Sequence, residues 1–231
     1  VQGVAGITAD ELLELGDGWQ GCGLGVMAGC SHRVVTETTR IAMPEVTIAL
    51  FPDVGGSWFL NHMPGKSGHF LALTGASINA ADALYTGLAD RFIVSEHKAA
   101  VLAMLQQQKW SEDDEANHGL VRHALRGFAA QSIGSCPAGQ VEPHMGTIAR
   151  LCDGDSVHHV IDNITGQQTE DPWLARARDS LAHGSKLAAL WIERQLWETR
   201  HASLREVFQA EIQLATNIVR HPECAEGVRA L

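Results

Sequence analysis

Apolar residues change rhythm along this chain. From residue 95 onward they recur every three to four positions, the period of one helix face. That spacing predicts helices over 97–109, 117–131, 141–151, 157–163, 174–183, 186–199 and 204–219. Trp191, Leu196 and Trp197 are expected in the core of one of them. Upstream the apolar runs are short. Arg33-Val34-Val35-Thr36, Ile41-Ala42-Met43 and the stretch 88–94 are rich in β-branched and apolar residues and predict strands. Helices are expected at 57–60 and 68–74, and at 79–84 behind Asn79. In ITADELLEL a short helix is expected from Thr8, with Glu11 completing a capping box. GSCPAG at 134–139 reads as an exposed loop, and 111–115 as a solvated loop or helix start. The expected organisation is a mixed α/β part over 1–94 and a nearly all-helical part over 95–231.

Composition narrows the function classes. With 45% apolar and 19% charged residues, the chain matches an ordinary soluble globular protein that can bury a proper core. A net charge of −10 argues against a nucleic-acid partner. No apolar run approaches the ~18 residues of a membrane span, and the first residues lack the pattern of a signal peptide. Five cysteines without a CxxC pair fit neither a disulfide framework nor a zinc ribbon, so a reducing compartment is expected. There is no initiator methionine, and a fragment or processed product is the expectation.

The chemistry concentrates in IAMPEVTIALFPDVGGSWFL, residues 41–60. Glu45 and Asp53 lie eight residues apart, each after a proline, with Met43 and Val46 beside one and Phe51 and Val54 beside the other. Burial disfavours the charged form of a carboxyl, which suits a base or a nucleophile. Just upstream, Gly21-Cys22-Gly23-Leu24-Gly25 is no dinucleotide fingerprint, because Val26 stands where the third glycine belongs, and no P-loop Lys-Ser/Thr follows. If a helix opens there, its unpaired N–H groups could hold a developing oxyanion; a turn serving only packing would read the same. The twelve histidines show no HExxH, and no metal site is expected. Cys22 and Cys30 have no assignable partner histidine, so packing is their expected role.

GCGLGVMAGCSHRVVTETTRIAMPEVTIALFPDVGGSWFL resembles the central block of the 3-hydroxyisobutyryl-CoA hydrolases, a branch of the crotonase (enoyl-CoA hydratase/isomerase) superfamily. NAADALYTGLADRFI, Gly184-Ser185 and HPECAEGVRAL resemble later parts of the same family, whereas residues 1–16 do not resemble its N-terminal part. The resemblance implies an α/β fold: a crotonase-like ββα spiral core, here partial, followed by an all-helical C-terminal region. It implies hydrolysis of a short acyl-CoA thioester, most directly 3-hydroxyisobutyryl-CoA in valine breakdown, with no cofactor beyond the CoA of the substrate. Trimers or pairs of trimers are implied, and a cytoplasmic location, or the mitochondrial matrix in a eukaryote.

By the same resemblance, Glu45 attacks the thioester or activates water, and Asp53 orients the substrate hydroxyl or the water. The Cys22 N–H binds the thioester oxygen, within a turn shaped by Gly21 and Gly23. Cys22 stands where the family has the middle glycine of GGG. Enoyl-CoA hydratases usually carry a second glutamate at the position of Gly25 and a glycine at that of Asp53, which sets them apart from this chain. Two alternatives to the hydrolase stand beside it: a truncated, non-catalytic member of the fold, and an enoyl-CoA hydratase or isomerase.

Overall fold

The computed structural model describes residues 19–20 and 22–229. In chain order these form β1 (Trp19–Gln20), α1 (Cys22–Ala28), β2 (Val34–Val35), β3 (Ile41–Ala42) and a 3-10 turn (Glu45–Ile48). Then follow α2 (Gly56–Asn61), α3 (Ser67–Thr74), α4 (Ala80–Tyr85), β4 (Arg91–Phe92), α5 (Lys98–Gln106) and α6 (Asp114–Ser132). The remainder is α7 (Val141–Leu151), α8 (Val157–Thr165), α9 (Pro172–His183), α10 (Lys186–Thr199), α11 (Leu204–Ile218) and α12 (Pro222–Arg229). Among the described residues no helix is long and apolar enough to cross a membrane. The helix expected at Thr8 lies outside the described residues.

The chain folds as two compact units, and neither is a continuous segment. The first takes Cys30–Arg40 and Asn79–Gly139 among its described residues. Here β2 and β4 run parallel, with Val34 opposite Arg91 and Val35 opposite Phe92. The Asp90 and Arg91 amides both donate to the Arg33 carbonyl, and Arg33 returns two guanidinium hydrogen bonds to the Asp90 carboxylate. Val34, Ile93, Val101, Leu105 and Leu125 form the core beneath, with Phe128 packed against it. Asn79 caps α4 in a full capping box with Asp82, and Asp113 caps α6 through the Glu115 and Ala116 amides.

The second unit takes Gln20–Gly29, Ile41–Ile78 and the helices from Gln140 onward. Its centre is α3, which buries Phe70, Leu71, Ala72, Leu73 and Thr74. A helix that is apolar nearly all round must be enclosed by others, and α2, α7, α9 and α10 enclose it. Ile41 and Ile78 exchange both backbone hydrogen bonds, closing the loop that contains α2 and α3.

Two expectations change. The strand expected over 88–94 is reduced to Arg91–Phe92. Before it the Ala89 amide turns back to the Ala83 carbonyl, and after it residues 95–97 curl into a 3-10 turn. Trp197 is not core but 64% exposed, because one helical step turns it away from buried Leu196. Its ring instead lies 3.9 Å beneath the Arg200 guanidinium.

Trp173 of α9 ties the second unit together. It is buried, its indole N–H donates to the Ser77 carbonyl at 2.8 Å, and its ring lies 5.5 Å from those of Phe70 and His144. Trp173→Ala is expected to cost about 3–5 kcal/mol, read as a lowered denaturation midpoint in urea.

Candidate active site

Pro44 and the 3-10 turn after it set the position of Glu45. The Thr47 amide donates to the Pro44 carbonyl and the Leu50 amide to the Glu45 carbonyl, both at 2.9 Å. Remote helices hold the turn from outside. The amide of Ser185, which caps α10, donates to the Val46 carbonyl at 2.9 Å. The Ser185 hydroxyl donates to Glu223 of α12 at 2.7 Å. Inside this frame Glu45 is 6% exposed, and its Oε2 has no hydrogen-bond partner among the described residues. Burial pushes its pKa to about 7; its own amide hydrogen bond tempers the rise and the charge of Asp53 adds to it.

Asp53 stands half-buried at the head of a tight turn, with its pKa raised by burial and tempered by its own amide. The Gly56 amide closes the turn onto the Asp53 carbonyl at 2.7 Å. Two residues here adopt left-handed backbone: Val54 at φ 49° and Gly55 at φ 83°. Glycine tolerates this, but a β-branched residue does so at a cost of roughly 1–3 kcal/mol and must be held there.

One restraint is α1. A Cβ placed on Gly25 would lie 2.5 Å from the Val54 carbonyl oxygen and 2.6 Å from its Cγ2. No side chain can occupy position 25 without displacing the turn that carries Asp53. The expectation that this chain has no second acid there thus acquires a steric cause. The other restraint is Glu211 of α11, 4% exposed, which accepts from the Gly55 amide at 2.8 Å, the Ser57 amide at 3.2 Å and the Ser57 hydroxyl at 3.0 Å. Burial chiefly raises its pKa, those three donors lower it, and Asp53 raises it further. Sequence reading missed Glu211. Its one local sign was an acid on the helix stripe that also buries Val207 and Ile218.

Asp53 lies near enough to Glu45 for its charge to raise the Glu45 pKa, and Met43, Val46 and Phe51 are all buried. Cys22 is the first residue of α1, so its amide is among those an α-helix leaves without an intrahelical acceptor. Gly23 lies half-buried in the same turn, and Gly21 lies outside the described residues. Among the described residues no group of three or more His, Cys, Asp or Glu is arranged to hold a metal ion. Cys152 is buried and its thiol pKa is pushed up to about 12 by burial, the opposite of an activated nucleophile.

A buried carboxyl that titrates near neutrality, with one oxygen unpartnered, can take a proton from a water that reaches it or attack an electrophilic carbon. It also destabilises the fold. In the folded state Glu45 holds its proton up to about pH 7, against an ordinary value of 4.5. Folding therefore weakens as pH rises through that window and is unaffected by this group below it. Glu45→Gln is expected to be the more stable protein by up to about 3 kcal/mol at pH 8, with the difference vanishing below pH 4.5, measured by denaturant titrations across that range.

A family model described as enoyl-CoA hydratase/isomerase matches residues 11–231. The mitochondrial 3-hydroxyisobutyryl-CoA hydrolase of Homo sapiens is 31% identical over 211 residues, covering 91% of this chain and 53% of its own. The Rattus norvegicus protein of the same name is 33% identical over 214 residues, with the same coverage. The chain thus spans about half the length of the curated relatives it matches. Among solved structures, a carnitinyl-CoA dehydratase from Mycobacterium thermoresistibile superposes with a TM-score of 0.77 at 29% identity, covering 91% of this chain and 57% of that one. An enoyl-CoA hydratase from Rhodobacter sphaeroides 2.4.1 follows at 0.66 and 28%, covering 84% and 51%. The fold is the crotonase fold with a helical C-terminal region, and the chain belongs to the enoyl-CoA hydratase/isomerase family.

Proposed function

We propose that the protein containing this chain hydrolyses a short acyl-CoA thioester, with 3-hydroxyisobutyryl-CoA the first substrate to try. The observation that carries this reading is the buried carboxyl of Glu45, its Oε2 unpartnered among the described residues and its pKa pushed to about 7 by burial and by the charge of Asp53. Glu45 accepts a proton from water as the water oxygen bonds to the thioester carbon. The carbonyl oxygen becomes an oxyanion held by the Cys22 amide. Collapse re-forms the C=O bond and breaks the C–S bond, and the proton on Glu45 passes to the departing thiolate. Direct attack by Glu45 would give a mixed anhydride that water then opens, with the same products. Asp53 orients the substrate hydroxyl or the water.

The dehydratase and hydratase among the structural relatives favour a second reading, addition or loss of water across a double bond. That chemistry is served by a second acid/base group. Here position 25, the place implied for it, is closed by Val54, which favours the hydrolase. The identity of the hydrolases, about 31%, supports the same choice. A reducing compartment, cytoplasm or mitochondrial matrix, and a homo-oligomeric assembly complete the proposal. Cys136, Cys152 and Cys224 are in no disulfide, and the Homo sapiens and Rattus norvegicus hydrolases are mitochondrial.

The test is thiol release from 3-hydroxyisobutyryl-CoA by the full-length protein. Glu45→Gln is expected to lower kcat by about 10²–10⁴. Equal release by the variant would remove Glu45 from the mechanism, and CoA-ester binding without any turnover by the parent would mark a non-catalytic member of the fold. Gly25→Glu is expected to give an unstable protein that gains no hydratase activity. Absorbance loss on an unsaturated acyl-CoA with the parent would reverse the choice between the two reactions.

A further inference from the structure

Asp53 influences Glu45 only while the turn behind it keeps its shape, and that turn is strained. Val54 and Gly55 both hold left-handed backbone, at φ 49° and 83°. Such conformations persist where the surroundings over-determine them. The hydrogen-bonding surroundings come from a residue more than 150 positions later in the chain: the bonds to Gly55 and Ser57 span separations of 156 and 154 residues.

We infer that Glu211 is the positioning residue of the Glu45–Asp53 pair, clamping Gly55 and Ser57 so that Asp53 stays beside Glu45. The inference rests on the hydrolytic reading of that pair. Glu211 touches no reacting atom; it acts through the turn. Its two oxygens divide the work, Oε2 taking the Gly55 amide and Oε1 both donors of Ser57. All three partners are donors, so the site needs an acceptor-only group, and an ionised carboxylate is one. A glutamine of the same shape would turn its NH₂ toward one of those N–H groups, leaving buried donors facing each other.

The clamp also explains why an acid lies in a buried helix stripe. Hydrogen bonds to an ionised acceptor are roughly twice as strong as neutral ones. They counter part of the burial effect, which still leaves the Glu211 pKa raised. The charged neighbour facing Glu211 is Asp53, and the charged neighbour of Glu45 is again Asp53. Releasing the clamp lets Asp53 swing toward water and removes its contribution to the raised pKa of Glu45.

The experiment compares the full-length wild-type protein with Glu211→Gln, Ser57→Ala and Val207→Ala. Val207 is buried on the same helix and its apolar side chain can make no hydrogen bond to the turn, so it reports loss of stability alone. Two readouts are taken: the pH profile of thioester cleavage, and the ionisation midpoint of Glu45 from isotope-edited infrared spectra with Glu45→Gln as the reference. Glu211→Gln is expected to lower kcat on the order of 10²-fold, the usual effect of a misplaced group. It is also expected to move the Glu45 midpoint to lower pH. Ser57→Ala, which removes the hydroxyl and leaves the two amide donors, is expected to shift the midpoint in the same direction by less. Val207→Ala is expected to lower Tm and leave the midpoint in place.

A wild-type midpoint in Glu211→Gln overturns the inference, as does an equal shift in Val207→Ala. If Glu211→Gln fails to fold, Ser57→Ala decides, and an unshifted midpoint there rejects the clamp. If the wild-type protein cleaves no thioester, the hydrolytic reading fails on its own, while the infrared midpoints still judge what Glu211 does.

Discussion

A carboxyl group withdrawn from water, with one oxygen left unpartnered, can exist only where the backbone around it is already fixed. Desolvation drives such a group to neutralise or to drag its surroundings toward solvent. Glu45 is in this condition, with Oε2 unpartnered among the described residues. What resists the drag is not local. The 3-10 turn that carries Glu45 is tied to the cap of α10 through Ser185, and that cap is tied to α12 through Glu223. The turn that carries Asp53 is tied to α11 through Glu211. Three helices from the last part of the chain thus restrain a segment from its first part.

The same tightness bears on the proposed chemistry. Where α1 crosses the turn after Asp53, Gly25 meets the Val54 carbonyl with no room for even a methyl group. The contact does two things at once. It supports the left-handed Val54, and it leaves no room for a side chain at position 25 of α1. An active site with one buried acid and one orienting acid is suited to directing a single water, whereas adding water across a double bond calls for separate donor and acceptor. On the proposed hydrolytic reading, packing at Gly25, and not the identity of that residue alone, supports the distinction.

Much of this was legible in the sequence where the signal is local. The helices at Val141–Leu151 and Lys186–Thr199 end where their apolar periodicity ends. Glu45 and Asp53 could be singled out because Met43, Val46 and Phe51 announced burial around them. Signals that depend on partners far along the chain were not legible. Glu211 looks like any acid on an amphipathic helix until Gly55 and Ser57 are placed against it. Trp197 looked like core because tryptophan usually is, and its facing was decided by one helical step. The strand expected at 88–94 is shortened by the Ala89 amide, which donates to Ala83, a residue outside that stretch.

The change from mixed to helical structure near residue 95 therefore marks a change of local conformation, while the compact units are drawn by packing. The helices beyond Gln140 share a unit with 41–78, and the intervening 79–139 folds with 30–40. For the candidate site this interleaving has a physical reason. A strained turn and a desolvated acid both need restraint from several directions, and a short stretch such as 41–60 cannot surround itself. The chain must return to it. It does so with α9 through α12, whose buried faces supply both apolar cover and the few polar contacts, at Ser185 and Glu211, that fix backbone rather than substrate. The helical C-terminal region is in this sense the wall of the active site, and its stability and the acidity of Glu45 are two expressions of one packing arrangement.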